Sequence, residues 1–395
     1  MRTRYPASVS DPRPGHLTNA PAATLGPVLV VGTGLLGASI GLALTRAGVP
    51  VVLEDASSAT LALARDLGAG TPLAAGGAPP LLVVVATPPD VTADVVLDRL
   101  AAHPQAVVTD VASVKSAVQD EVLAALATTD RGSASMTARY VGSHPMAGGE
   151  RTGPAAADAD LFIGRPWVVV PHEASAPGAV LAVRTLATDL GAVPLTMGAA
   201  EHDEAVALVS HVPQLAASLV AARLRTAPEG ALALAGQGLR DVTRIAASDA
   251  RLWSAIIVGN AAPVASVLRD VRDDLDALIE ALGRAENDGP LAEGAAGPIA
   301  RAVLAGAQGQ GRIPGKHGGA PRRYAHVVVL VPDRPGELGR LFAEVGDLAV
   351  NIEDFTMEHS AGTQVGMATL SVVPAAAAGL AAGLERRGWR LVTGA

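Results

Sequence analysis

Cysteine is absent from all 395 residues, which excludes disulfides, thiolate metal sites and cysteine nucleophiles. Lysine is nearly absent too: only Lys115 and Lys316 occur, so arginine carries almost all the positive charge. Aromatic residues make up 2% and charged residues 17%, while hydrophobic residues reach 49%, a balance suited to a globular protein with large cores. The shortage of bases gives a net charge of -8, which argues against nucleic acid or an anionic membrane as a partner. No apolar segment opens the chain; residues 1–24 mix Arg, Pro, Ser and Thr and read as a disordered lead-in, not a signal peptide. There is no H-E-x-x-H, and His202 and His211 stand nine apart, off a common helical face, so no metal site is expected. The long apolar run from Ala205 to Ala222 is broken by Ser210, His211, Pro213, Gln214 and Ser218. It reads as a buried interdomain or intersubunit helix, not a membrane span, and the expected location is the cytoplasm.

What the chain does have is V-L-V-V-G-T-G-L-L-G over residues 28–37, an apolar strand running into G-x-G-x-x-G and a helical pattern. Gly32 permits the tight turn, Gly34 lets the backbone approach a pyrophosphate, and Gly37 allows close packing of helix on strand. Leu35 and Leu36 lie in the same loop, and Thr87 follows the strand candidate Leu82–Ala86, completing the cofactor candidates there. The next strand candidate, Val51–Leu53, ends at Glu54-Asp55, roughly 20 residues past the glycines. An acid at Asp55 can bind both ribose hydroxyls and repels a 2′-phosphate, so the expected dinucleotide is NAD, not NADP.

Strand and helix signals alternate from Pro27 to about Val170, with further strand candidates at Val107–Asp110, Tyr140–Gly142 and Trp167–Val170. Ala- and Leu-rich helical segments occupy about 199–286, apolar on nearly every face, which predicts a dimer packed through them. Residues 287–322 are rich in Gly, Ala and Pro and read as a flexible tether. The remainder follows a β-α-β-β-α-β order. The expected architecture is therefore an α/β Rossmann-type domain (25–172), an all-α domain (173–286), a linker (287–322) and a ferredoxin-like α+β domain (323–395).

Three clusters could carry chemistry. Asp110-Val-Ala-Ser113-Val-Lys115 ends the strand candidate Val107–Asp110, where open parallel sheets bind ligands, although Ser113 also reads as a plain helix N-cap. Gly142-Ser-His144-Pro145 places a histidine in a Pro/Gly-braced loop just past a strand, and histidine can accept a hydroxyl proton near neutral pH. Glu201-His202-Asp203, Ser210-His211-Val-Pro213-Gln214 and Asp241-Val-Thr-Arg244 lie in the helical region. Arg244 offers a planar, permanently charged fork for a carboxylate, or forms only a surface ion pair with Asp241. Trp253 has a core or interface role by default.

In this order and spacing the motifs resemble the prephenate/arogenate dehydrogenase family of tyrosine biosynthesis, from about Val28 to Leu282, and the tail resembles a regulatory ACT domain. The resemblance implies hydride transfer from C4 of a cyclohexadienol to NAD+, loss of CO2 from C1 and aromatisation. It implies that His144 accepts the C4 hydroxyl proton, that Ser113 orients His144 and the nicotinamide edge, and that Arg244 anchors a carboxylate. His211, Gln214, Asp241 and Trp253 complete the implied substrate contacts, Trp253 reaching across from a partner subunit of a homodimer. One departure stands out: relatives that use prephenate often read S-H-L-P-H where this chain has Ser210-His211-Val212-Pro213-Gln214. The final residue is implicated at the substrate side chain, keto in prephenate and ammonium in arogenate, and a neutral amide can serve either. The ACT resemblance implies amino-acid binding near Asp333, Gly336 and Asn351 at a paired interface, with tyrosine as the expected effector and phenylalanine binding or a purely structural tail as the alternatives. A β-hydroxyacid-type dehydrogenase would need a lysine between 172 and 286, and there is none. A non-catalytic NAD sensor would need neither His144 nor Arg244.

Overall fold

Val28–Val31 forms β1, buried along its whole length, as a central parallel strand covered on both faces must be. The protein, seen in a computed structural model, is described here over residues 21–74, 76–128, 133–149, 151–314, 324–359 and 364–392. It divides into two units: the first ends at Ala216 and resumes over Ile245–Leu268, and the second holds Ala217–Arg244 and the chain from Arg269 on.

In the first unit β1 leads into α1 (Leu35–Arg46), β2 (Val51–Glu54), α2 (Ser58–Asp66), β3 (Thr71–Pro72), β4 (Leu82–Val85), α3 (Pro89–Ala102) and β5 (Val107–Asp110). These strands pair in parallel in the order β3-β2-β1-β4-β5. The order reverses between β1 and β4, and that switch point leaves a crevice at the strands' carboxyl ends. After α4 (Ser116–Ala127) and α5 (Ser133–Arg139) a separate sheet forms from β6 (Gly142–Pro145), β7 (Pro166–Val170) and β8 (Val193–Thr196), with α6 (Pro177–Asp189) between the last two. β6 runs antiparallel to β7, and β8 runs parallel to it.

Three expectations are corrected here. The parallel sheet stops at β5, apart from a Val108–Tyr140 bridge, because Gly142–Pro145 pairs with β7. The domain does not close at residue 172, because Ala179, Val183 and Leu186 of α6 share one core with Val30, Ile40 and Leu53. Thr24, assigned to the disordered lead-in, is buried and donates from its backbone N and Oγ1 to Asp189 Oδ2, both at 2.6 Å. Residues 1–20 of that segment lie outside the described residues.

The helices follow: α7 (Ala199–Val206), a π turn (Ala207–His211), α8 (Val212–Arg223), α9 (Glu229–Leu232), α10 (Gln237–Thr243), α11 (Ala250–Gly259) and α12 (Ala261–Asp288). The π turn has a local cause: Pro213 lacks an N–H, and its ring crowds the carbonyl four residues back, so the preceding turn widens. By length and composition Ala199–Thr226 could span a bilayer, but His202, Asp203, His211 and Gln214 on it are all buried within the protein. The expected tether contains α13 (Ala296–Gln310) instead. Its alanines favour helix, and Gly297 and Pro298 fall in the first turn, where proline is tolerated. The rest of the expected tether, 315–322, lies outside the described residues.

The second unit ends in β9 (Ala325–Pro332), α14 (Glu337–Asp347), β10 (Asp354–His359), β11 (Val365–Val372), α15 (Pro374–Arg386) and β12 (Arg390–Leu391). They form one antiparallel sheet of order β10-β11-β9-β12, with Leu341, Val345, Leu380 and Leu384 of the helices on its core. Gly336 opens α14 at φ +91°, a conformation that favours glycine. Asp333 bonds Gln364 at one end of the sheet, whereas Asn351 precedes Asp354, which is level with Ser371 and His326 at the other. The three expected effector residues are therefore not gathered within one chain.

Candidate active site

The glycine loop joins β1 to α1 at the switch point, and each glycine has its own reason. Gly32 sits at φ +91°, and a Cβ there would lie 2.5 Å from the Ala86 carbonyl oxygen. A Cβ on Gly37 would lie 1.9 Å from the Gly32 oxygen, so helix and loop need that space. At Gly34, among the described residues, no atom beyond the chain neighbours lies within 4 Å of such a Cβ. No contact among the described residues demands glycine there, which fits a backbone kept bare for a ligand. Gly34 is also the N-cap of α1, whose first turn holds no acid, so the helix end is free to favour an anion. Asp55, just past β2, accepts from Thr33 N (2.6 Å) and Thr33 Oγ1 (2.8 Å) on Oδ2 and from Ser57 N (2.7 Å) on Oδ1. Thr87 Oγ1 lies 3.0 Å from Thr92 Oγ1 at the start of α3, and Leu35 and Leu36 are half-buried in the first turn of α1. These groups fit a dinucleotide: bare backbone at a helix N-terminus for the pyrophosphate and a carboxylate at the next strand end for a ribose.

His144 stands in β6, level with Val168 of β7, and not in the loop that was expected. A strand holds the ring more firmly than a loop, and Pro145, which cannot donate, ends the strand one residue later. β6 is tied to the end of β5 by Thr109 Oγ1 donating to Ser143 Oγ (3.0 Å) and Lys115 Nζ donating to the Ser143 carbonyl (2.8 Å). Gly149 lies against the glycine loop, so that a Cβ on it would be 3.7 Å from Leu35 Cδ2. His144 is thereby held at the carboxyl side of the nucleotide-binding sheet.

The ring of His144 is buried, with Nδ1 2.8 Å from His202 Nε2. His202 Nδ1 lies 2.8 Å from Asp203 Oδ1. Burial, with smaller contributions from His202, Lys115 and His211, pushes the His144 pKa well below the ordinary histidine value, so the ring is neutral at neutral pH. Burial alone would raise Asp203, but hydrogen bonds from His202, Ser116 and Lys115 together hold it below the usual carboxylate range. The Asp203 carboxylate also accepts from the backbone N of Lys115 (2.9 Å) and of Ser116 (2.8 Å), so it caps α4 from another helix. Ser113 is not that cap; it lies half-buried in the loop before Lys115.

His211, swung inward by the π turn, has Nδ1 3.0 Å from Asn260 Nδ2, which also donates to the Asp203 carbonyl at 2.7 Å. Burial lowers the His211 pKa to about 4, against the pull of Asp203. Trp253 stands edge-on to this ring, centroids 6.1 Å apart, and packs on the core of β5 and α4. Gln214 is buried and donates from Nε2 to the Ile245 carbonyl at 2.9 Å. Beneath β6 a buried Lys115–Asp110 ion pair is completed by Tyr140 Oη donating to Asp110 Oδ2 at 2.9 Å. Burial, then Asp110, drives the Tyr140 hydroxyl pKa well above its usual value, keeping it a donor.

The structure thus gathers His144, His211, Gln214 and Trp253 in the first unit together with the glycine loop and Asp55. Asp241, which accepts from Gln237 Nε2 at 2.7 Å, and Arg244 belong to the second unit, in α10 and the turn after it. His202 and Asp203 stand in a sequence motif that assigns neither a role, and Asn260 lies outside every motif. The available signal was an adjacent His-Asp pair opening a helix, and an Asn breaking the helical pattern between α11 and α12. Among the described residues no cluster of His, Asp and Glu could hold a metal.

Two family models match the chain: the nucleotide-binding domain of prephenate dehydrogenase over residues 40–195 and its dimerization domain over residues 198–294. A protein described as a probable prephenate dehydrogenase, NovF, of Streptomyces niveus is 38% identical over 367 residues, covering 91% of this chain and 98% of that one. The prephenate dehydrogenase of Bacillus subtilis is 31% identical over 245 residues, 59% of this chain and 64% of that one. Among solved structures, prephenate dehydrogenase from Aquifex aeolicus, in complex with hydroxyphenyl propionate and NAD+, superposes with a TM-score of 0.59. That match covers 72% of this chain and 97% of the other at 24% identity, and it shows a shared fold.

Proposed function

Since the chain belongs to the prephenate dehydrogenase family, we propose that it catalyses the NAD-dependent oxidative decarboxylation of prephenate to 4-hydroxyphenylpyruvate. The observation that carries this reading is a buried, neutral histidine fixed in a strand at the carboxyl side of a dinucleotide-binding sheet. NAD+, when bound, supplies the hydride acceptor. His144 Nε2 accepts the C4 hydroxyl proton as carbonyl character grows at C4, and the electron pair left by CO2 at C1 aromatises the ring. The oxygen at C4 then takes the proton back from His144 as a phenol, so the base is restored within one turnover. A positioned base of this kind is worth about 10²–10⁴-fold.

Ser113 orients His144 and the nicotinamide edge in this reading, and Arg244 is assigned to a substrate carboxylate. His211, Gln214, Asp241 and Trp253 are assigned to substrate binding, and Gly32, Gly34, Leu35, Leu36, Gly37, Asp55 and Thr87 to NAD. The decisive experiment is NADH formation by the purified chain with prephenate and with arogenate, each with NAD+ and NADP+. Turnover of prephenate with NAD+ is expected. Turnover of arogenate alone would move the assignment to that substrate, and folded protein silent with both would overturn the enzyme reading.

The C-terminal β-α-β-β-α-β sheet supports a ferredoxin-like ACT domain that binds tyrosine. Because Asp333 and Gly336 lie at one end of that sheet and Asn351 at the other, the effector site needs two copies, each giving one end. The match to a dimerization domain supports a homodimer. A soluble small-molecule reaction of this kind belongs in the cytoplasm.

A further inference from the structure

Asp203 accepts hydrogen bonds on its side chain and on its backbone carbonyl, and each leads to a different histidine. Its ionised carboxylate can only accept, and it is already met by the backbone N of Lys115 and of Ser116. The His202 Nδ1 facing Oδ1 at 2.8 Å must therefore carry a proton, and in the neutral ring that leaves His202 Nε2 bare. That bare nitrogen faces His144 Nδ1 at 2.8 Å, so His144 carries its proton on Nδ1 and keeps a lone pair on Nε2. On the other side, the Asp203 carbonyl accepts from Asn260 Nδ2 at 2.7 Å, which fixes which edge of the amide is NH2. The same NH2 lies 3.0 Å from His211 Nδ1, which must accept, so the His211 proton is on Nε2.

We infer that His202, Asp203 and Asn260 are positioning residues that set opposite ring tautomers on His144 and His211, giving the first an accepting Nε2 and the second a donating one. The inference rests on the reading of His144 as proton acceptor. A free histidine side chain prefers the proton on Nε2, so His211 keeps its natural form while His144 is held in the disfavoured one. The disfavoured form is the one a base needs. When His144 accepts a proton at Nε2, its Nδ1–H stays shared with His202, and the negative Asp203 faces the new charge through that ring. No second proton has to leave, and the first returns to the product oxygen.

The test is a long-range proton–nitrogen spectrum of the full chain labelled with ¹⁵N in histidine, near neutral pH and without substrate, the rings assigned by loss of signals in His144→Asn and His211→Asn. A pyridine-type Nε2 is expected for His144, and a pyridine-type Nδ1 for His211. In His202→Leu the His144 ring should revert to the Nε2–H form, with kcat lowered about 100-fold and KM changed less than about threefold. His202→Gln, whose amide oxygen can still accept from Nδ1–H, should restore the wild-type tautomer and kcat to within about tenfold. An Nε2 proton on His144 in the unaltered protein, or an unchanged tautomer and kcat in folded His202→Leu, overturns the inference. Full prephenate turnover by His144→Asn would instead remove the catalytic reading, while the spectra would still report the two tautomers.

Discussion

At the scale of single residues, the buried groups of the first unit make distinct predictions. His144→Asn should lower kcat about 10²–10⁴-fold while leaving NAD+ binding by titration unchanged, since the ring touches none of the glycine loop's bonds. Lys115→Met strands Asp110, fully buried, without its cation, and the remaining hydrogen bonds from Tyr140 Oη and the Ala112 backbone N cannot neutralise it. A loss of about 3–5 kcal/mol is expected in urea unfolding. His211 sets an acid limit. Above about pH 6.5 its ring is neutral in both folded and unfolded chains, and stability is complete. As pH falls from there through about 4, the unfolded chain takes up a proton that the buried ring refuses, and stability is lost across that window. The urea midpoint of His211→Asn should therefore fall less than that of the parent between about pH 7.5 and about pH 5. An equal fall in both proteins would show that His211 does not govern it.

At the scale of elements, the second and third glycines of the loop, Gly34 and Gly37, should separate binding from folding. A Cβ on Gly34 meets no described atom beyond its chain neighbours, so in Gly34→Ala the urea midpoint should hold while NAD+ affinity drops at least about tenfold. Gly37→Ala drives its Cβ to 1.9 Å from the Gly32 oxygen and should damage both. The same contrast explains what was legible in the sequence. Strand, turn and helix at the glycine loop are fixed by neighbours within ten positions, so apolar runs and spacing revealed them. Local sequence puts His144 in a loop because its strand exists only by pairing with β7, more than 20 residues on. Glycine and proline counts point to a tether over α13 because they ignore where in a helix those residues fall. The His144–His202 contact bridges 58 positions, and no local pattern announces a bond of that reach.

At the scale of the whole molecule, Leu208, Val209 and Val258 are 62%, 64% and 75% exposed, more apolar surface than a lone chain comfortably shows. Val209→Glu with Val258→Glu should halve the mass measured by light scattering. Tyrosine at millimolar concentration should slow amide exchange around Gly336, and around the chain before Asp354 in the same protein. Protection at one end only would argue against a site shared by two copies. The first unit is interrupted in sequence: its last part, Ile245–Leu268, arrives after a 28-residue excursion through the other unit. Asn260, which ties His211 to Asp203, is in that late part. During synthesis the nucleotide cradle is therefore complete well before the second histidine is secured. A chain truncated near residue 220 should already retain NAD+ on a column, yet form no NADH, whereas the full chain, which includes Asn260, should do both.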